Sequence, residues 1–202
     1  MRLRAALRPA GGRPRRGTAA LALACLLRAL AGCGDEQSAS VVTLDLQESI
    51  RNLAADDLDV SSAAEERLAA IGAPALPALH AALRREPEAV RLGIVQVLGE
   101  IRDDGAVAVL AAALGDPAEQ VRADAAAALG QRSGAEAERA VIGAFGDGSE
   151  LVRQRAALAC VAACRSPAAL DAVLRLALDD PAPEAGWAAV RSLVVLRGFD
   201  DP

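Results

Sequence analysis

The chain has 202 residues, of which 53% are hydrophobic, 24% are charged and only 1% are aromatic. Ala and Leu, both good helix formers, carry most of the apolar content, and the shortage of aromatic residues disfavours a β-sandwich or a β-barrel. All 22 basic residues are Arg, which excludes chemistry that needs a Lys, and the single His excludes a two-histidine metal motif. The composition predicts an all-α protein, and we expect it to need no metal or other cofactor.

The charge is distributed unevenly along the chain. Residues 1–32 hold seven Arg and no acidic residue, whereas residues 33–202 hold 15 Arg and 27 acidic residues. The net charge of −5 therefore conceals a body with a charge of −12, which repels the phosphate backbone of a nucleic acid. We expect no nucleic-acid partner.

The N-terminal segment has the pattern of an export signal, and we expect residues 1–32 to be a signal peptide. Six Arg within residues 1–17 precede an apolar run, residues 18–27, that is too short to span a bilayer. The next segment, Leu30-Ala31-Gly32-Cys33, resembles the lipobox of bacterial lipoproteins. This resemblance implies lipidation at Cys33, a polar tether over residues 33–43, and a membrane-anchored protein that faces the periplasm or the cell exterior.

Two other interpretations of this segment stay open. Arg28 places a charge five residues before Cys33, in a stretch of the lipobox pattern that normally has none. Ala29-Leu30-Ala31 also fits an ordinary signal-peptidase site, which would release a soluble periplasmic or secreted protein. A second candidate lipobox ends at Cys25, but only six apolar residues precede it.

The remainder of the chain repeats itself. Val-Arg pairs begin at Val90, Val121 and Val152, at intervals of 31 residues, and the turns between helices follow the same register until a last interval of 33 residues. Each repeat contains two stretches with helical periodicity, here called the A and B helices. The predicted A/B pairs cover residues 44–54/60–71, 74–85/88–101, 105–114/118–131, 135–145/149–164 and 167–178/184–197. In the third pair, Asp116 and Pro117 are expected to begin the B helix as its cap and first residue.

Residues 116–130, which begin Asp-Pro-Ala-Glu-Gln-Val-Arg, resemble a HEAT repeat of the short bacterial type found in phycobilin lyases. The resemblance implies a HEAT-like repeat domain over residues 44–199, folded as an α–α superhelix of about five helix pairs. It also implies a hydrogen-bonded ladder between units, in which an Asp is followed by an Arg six residues later. The residues with that spacing are Asp116, Arg122, Asp147 and Arg153.

We expect this ladder only in the middle of the array. Arg85 occupies the Asp position of the preceding unit, and Gly186 occupies the Arg position of the last unit. Because no Asp lies six residues before Arg91, we expect Arg91 to contribute less stability than Arg122.

The resemblance implies a non-catalytic scaffold or adaptor for protein–protein interaction at the bacterial cell envelope; the alternative is a lyase or another enzyme built on the same repeats. The chain lacks the His-Glu pairs of the HEAT-type deoxyhypusine hydroxylases. It also lacks the basic, aromatic-lined groove of the HEAT-type alkylpurine glycosylases, and no signature residue supports a bilin site. We therefore expect no enzymatic activity.

Three local features are better explained by structure than by chemistry. His80 has no second His with which to bind a metal and is expected to be a surface or packing residue. Cys160 and Cys164 are four residues apart on a predicted helix, where a disulfide would be strained, so two small buried apolar residues are the preferred interpretation. Residues 147–150 resemble a calcium loop only loosely, and a helix-capping turn is preferred.

The candidate binding surface follows from the B helices, which line the concave face of HEAT arrays. We expect the second, third and sixth residues after each Val-like position to point outward; these include Gly93, Ala123 and Ala188 and the following binding candidates: Glu65, Glu66, Leu92, Gln96, Asp124, Gln154, Arg155, Trp187 and Arg191. Trp and Arg are enriched at interface hot spots. The alternative is that Trp187 covers the end of the last unit together with Phe199. The acidic end suits a protein partner with a basic or extended segment.

Overall fold

The computed structural model describes the backbone of residues 36–164 and 166–196, and the side chains of residues 44–164 and 166–195. The chain divides into residues 1–43 and residues 44–202. Of the first part, only residues 36–43 are described, and they are helical. The predicted signal peptide, Cys33 and Phe199 lie outside the described residues.

The described residues form ten α-helices and no strand, which confirms the all-α prediction. Two short 3₁₀ turns, Ala73–Ala75 and Ala144–Gly146, adjoin helices α3 and α7. The helices are α1 (Glu36–Asn52), α2 (Leu58–Ile71), α3 (Leu76–Leu83), α4 (Glu88–Glu100), α5 (Gly105–Ala113), α6 (Glu119–Leu129), α7 (Ala135–Gly143), α8 (Glu150–Ala163), α9 (Pro167–Asp179) and α10 (Pro183–Leu196).

Consecutive helices form five units, each with an A helix of odd number and a B helix of even number. Each B helix from α2 to α8 packs on the B helix of the next unit, and the A helices from α3 to α9 pack in a second row. The large, fully buried side chains along these rows are Leu, Ile and Val, such as Leu98 and Leu129. Numerous Ala residues fill the rest of the core, as the composition predicts. The array is a solenoid in which each unit buries the apolar face of its neighbour.

Two predicted helix starts differ from the structure. Helix α6 begins at Glu119 with Ala118 as its N-cap, so Asp116 and Pro117 lie in the preceding turn. The Asp116 carboxylate accepts a hydrogen bond from the Ala118 N–H at 2.8 Å and thereby fixes that turn. Helix α1 begins at Glu36, eight residues before the predicted position, so it takes in most of the predicted tether.

The preferred interpretation of the two cysteines is wrong, because Cys160 and Cys164 form a disulfide. That interpretation placed both residues within one helix. In the structure α8 ends at Ala163, and Cys164 is its C-cap with an extended backbone, φ −90° and ψ 132°. The turn of the chain brings the two Cα atoms to 4.8 Å, within the range of disulfides. Both residues are buried, so they also serve the packing role expected of them.

Candidate interaction surface

Arg122 joins two successive units. Its Nε donates to Oδ2 of Asp147 at 2.8 Å, and its Nη2 donates to Oδ1 of the same carboxylate at 2.9 Å. The third nitrogen, Nη1, donates to the backbone carbonyl of Asp116 at 2.9 Å. One guanidinium therefore holds the turn of its own unit against the turn of the next unit.

The same arrangement occurs on both sides of Arg122. Arg91 binds both carboxylate oxygens of Asp116, at 2.7 and 2.8 Å. Arg153 binds both oxygens of Asp180, at 2.6 and 2.9 Å. Among the described residues the ladder thus has three rungs, which link units 2 to 5.

The expected limits of this ladder are wrong, because each Arg pairs with the Asp of the following unit. The residue six positions before the Arg supplies only its backbone carbonyl, and for Arg91 the carbonyl of Glu86 does this at 2.9 Å. An Arg at position 85 therefore does not weaken the first rung. Gly186 ends the series only after Asp180 has received Arg153.

The charges of the ladder are committed to one another. Hydrogen bonds from Arg122 lower the pKa of the Asp147 carboxyl, and those from Arg153 lower the pKa of Asp180. The same bonds raise the pKa of each Arg above 12.5. At the first rung, the side chains of Arg91 and Asp116 are only 13% and 4% exposed. The ladder stabilises the stack and offers little to a ligand.

Arg132 is a structural residue that the sequence did not indicate. Its Nη2 donates to the carbonyl oxygens of Leu98 and Gly99 at 2.6 and 2.7 Å, which caps the C-terminal end of α4 from the next unit. The residue is 9% exposed, and this burial, with the nearby charge of Arg102, lowers its pKa. A single Arg in a loop has no spacing that predicts such a contact.

None of the nine binding candidates is buried. Five are exposed and four are half-buried, the half-buried ones being Glu65, Leu92, Asp124 and Gln154. Helix α2 begins 30 residues before α4, so Glu66 corresponds to Gln96, and Glu65 lies one position earlier. The structure therefore places Glu66, Gln96 and Arg191 at one position of successive B helices.

Three residues that were expected to point outward are buried: Gly93, Ala123 and Ala188. Ala123 and Ala188 are 0% exposed. Adjacent units cover the flanks of a B helix, and a Cβ on Gly93 would lie 2.8 Å from the Cβ of Leu53 in the preceding unit. The outward positions are therefore the sixth residue and the tenth residue, one helical turn later.

The tenth residue of each register was missed, although helical spacing alone could have indicated it. We call the surface formed by the sixth and tenth positions the B-helix row. All its residues are exposed except the half-buried Ala127. The row consists of Glu66, Ala70, Gln96, Glu100, Ala127, Gln131, Leu158, Ala162, Arg191 and Val195.

A second feature is acidic. Every B helix carries an exposed acid in its first turn, where it stabilises the helix dipole: Asp59, Glu88, Glu119, Glu150 and Glu184. Glu119 accepts a hydrogen bond from the Ser149 hydroxyl at 2.6 Å. A hydrogen bond with Glu184 raises the pKa of Glu150, because the two carboxyl groups are adjacent. We call these five residues the acidic edge.

A surface groove of about 710 Å³ is lined by residues between Ile142 and Pro181. Its charged residues include Asp147, Arg153 and Asp180, which belong to the ladder. Across the described part of the chain, no cluster of His, Cys, Asp or Glu could hold a metal ion. His80 lies half-buried on α3.

None of the helices in the described ranges is both long enough and apolar enough to cross a membrane.

Comparison with known proteins agrees with the repeat architecture. A family model described as HEAT repeats matches residues 46–130 and, again, residues 107–194. Together the two matches extend from α1 to α10. A search of curated proteins finds no match. The chain belongs to the family of HEAT-repeat proteins.

Proposed function

We propose that this protein is a non-catalytic adaptor, held at the bacterial cell envelope by a lipid on Cys33, that binds another protein through the B-helix row. HEAT repeats are generally protein-interaction scaffolds and are usually non-catalytic. The observation that carries the proposal is the row itself, a series of exposed side chains at the same two positions of all five B helices.

The charge of the molecule supports a basic or extended partner segment. The B-helix row begins with Glu66 and includes Glu100, while the acidic edge adds a carboxylate from each of the five units. The body of the chain has a net charge of −12 over residues 33–202. Such a field accelerates the approach of a basic segment and disfavours an acidic one.

A lyase activity has no comparable support. The ionisable residues that line the groove of about 710 Å³ include a complete Arg–Asp rung, which is held by two short hydrogen bonds. A catalytic site needs groups that are free to touch a substrate. The likeness of residues 116–130 to the phycobilin-lyase repeat type supports the bacterial, short-repeat class and not the reaction.

Partner binding is tested by affinity capture from the native host with the full chain as bait. Gln131→Arg and Glu100→Arg alter the middle of the B-helix row and should abolish capture of specific proteins. Glu136→Arg, an exposed substitution on the A helix α7, is the matched control and should leave capture unchanged. Equal capture by all three variants would contradict the use of this surface.

Lipidation is tested by intact-mass analysis of the membrane fraction. We expect a mature chain that begins at Cys33 and carries a diacyl group, because two acyl chains suffice for stable attachment. Cys33→Ser should move the protein to the soluble fraction. An unacylated mature N-terminus at Gly32 would instead indicate ordinary signal-peptidase cleavage.

A further inference from the structure

The outward side of the last helix is apolar. Trp187, Val190 and Val194 follow one another along α10 at helical spacing and are 68%, 38% and 46% exposed. The opposite side of α10 is fully buried against α8 and α9, and there the Ser192 hydroxyl donates to the Ala157 carbonyl at 2.6 Å. The three residues, which we call the terminal stripe, therefore face away from the array.

The terminal stripe occupies the positions through which inner units stack. The residues that correspond to Val190 are Val95, Ala126 and Ala157, which are 1%, 0% and 0% exposed. The residue that corresponds to Val194 in unit 3 is Gly130, where a Cβ would lie 2.6 Å from the Cβ of Ala159 in the next B helix. Unit 5 thus presents a stacking surface, made of larger apolar residues than those of units 3 and 4.

The N-terminal end of the array is different. Arg67 of α2 corresponds to Val97, Ala128 and Ala159, which are all buried in the stack. The Arg67 side chain is 62% exposed and forms a long ion pair of 3.9 Å with Asp45 of α1. A polar outer face is what the terminal repeat of a solenoid requires for solubility. This end is capped, whereas the terminal stripe is not.

The contrast between the two ends decides what can cover the stripe. Head-to-tail stacking would bury Arg67 and Asp45 against Trp187, and burying charges against an apolar surface is unfavourable. A two-fold axis instead brings the stripe against an identical stripe. We propose that two copies of the chain associate tail to tail through antiparallel α10 helices.

In this arrangement Trp187 of each copy packs against Val194 of the other, and the two Val190 side chains meet near the two-fold axis. Helix α10 has 14 residues and is about 21 Å long. A stable interface buries about 1,200 Å² or more, so α9 contributes as well through Leu174 and Leu178, which are 40% and 74% exposed. This assignment places Trp187 in the dimer contact and leaves the partner-binding row to the other residues.

The test uses the full chain and needs no label, because Trp187 is the only Trp. Sedimentation equilibrium should show a dimer, and Trp emission should shift to shorter wavelength as the protein concentration rises. The two changes should share one midpoint. A dimer formed through any other surface would leave the emission constant and would overturn the proposal.

Val190→Arg is the informative variant, and Leu158→Arg is its control. Leu158 is a similarly exposed apolar residue, 40% against 38%, on the B-helix row of α8. Val190→Arg should weaken dimerisation by about tenfold or more, with an unchanged melting temperature of the monomer. Leu158→Arg should dimerise like the wild type.

Two outcomes would overturn the proposal. A dimer that Val190→Arg leaves intact would place the contact elsewhere. A wild-type monomer at all concentrations would also refute it. Blue-shifted emission from that monomer would indicate that residues 197–202 cover Trp187.

Discussion

Arg122 and Asp147 are 25 residues apart in sequence and are joined by two parallel hydrogen bonds of 2.8 and 2.9 Å. The Arg belongs to the B helix of one unit, and the Asp belongs to the turn that precedes the B helix of the next. Paired hydrogen bonds between a guanidinium and a carboxylate fix both distance and orientation. The ladder therefore sets how each unit sits on its neighbour.

Arg122→Ala should destabilise the fold by about 1–3 kcal/mol, because it leaves the Asp147 carboxylate and the Asp116 carbonyl without their donor. Arg91→Ala should cause a similar loss, since Arg91 forms the same three contacts. Urea unfolding followed by circular dichroism measures both. Arg155→Ala removes an exposed Arg outside the ladder and should change stability by less than about 0.5 kcal/mol. A much smaller effect of Arg91→Ala would contradict the equivalence of the rungs.

How far the sequence predicts this molecule is clear from the same residues. The 31-residue period locates the helix pairs because one register repeats each buried position, and Leu98 and Leu129 are both fully buried. The partner of Arg91 could not be predicted in this way. An Asp six residues earlier and an Asp 25 residues later are equally compatible with the period, and only the stacking of the turns decides between them.

The candidate surface was predicted less well for a related reason. The pattern of one helix separates its core side from the remainder but does not show how much of that remainder the adjacent units cover. Ala123 and Gln154 occupy the same position in successive units, yet Ala123 is 0% exposed and Gln154 is half-buried. Small residues permit a close approach of helices, and the approach itself determines the exposure.

Acid should destabilise the ladder. The pKa values of Asp147 and Asp180 are lowered by Arg122 and Arg153, from an ordinary value of 3.8. Stability from a lowered carboxyl pKa is fully present above the unfolded value and is lost as the pH falls through the folded value. The melting temperature should therefore fall as the pH decreases below about 4. Asp147→Asn should melt lower at neutral pH and show a weaker dependence in the acid range.

The control for this measurement is Asp171→Asn, which removes an exposed acid of α9 that belongs to no rung. It should keep the acid dependence of the wild type. If Asp147→Asn and Asp171→Asn have the same pH profile, the ladder does not govern acid unfolding.

Glu184→Gln should affect stability in the opposite direction. The proximity of Glu184 raises the pKa of Glu150, so the two carboxylates repel each other when both are ionised at neutral pH. A raised carboxyl pKa means that the folded state gains stability as the pH falls towards that pKa. Removing one charge should raise the melting temperature at neutral pH, and the gain should shrink on acidification.

Loss of a first-turn acid also weakens a helix dipole contact, so the comparison needs a matched variant. Glu136 is exposed in the first turn of α7. Glu136→Gln should lower the melting temperature slightly, and Glu184→Gln should melt above it at neutral pH. The reverse order would show that the carboxyl pair does not repel.

The approach of α6 to α8 gives the last prediction. A Cβ on Gly130 would lie 2.6 Å from the Cβ and 2.7 Å from the Cα of Ala159, and backbone cannot yield as a flexible side chain does. Gly99 occupies the same position one unit earlier, but its Cβ would lie 3.8 Å from Ala128, in ordinary contact. Gly130→Ala should therefore destabilise the fold by about 1–3 kcal/mol through overpacking. Gly99→Ala should be neutral or stabilise it by up to about 1 kcal/mol, because it restricts the unfolded chain. Chemical unfolding of both variants measures the difference, and equal effects would mean that the spacing between B helices is not set by contact at this position.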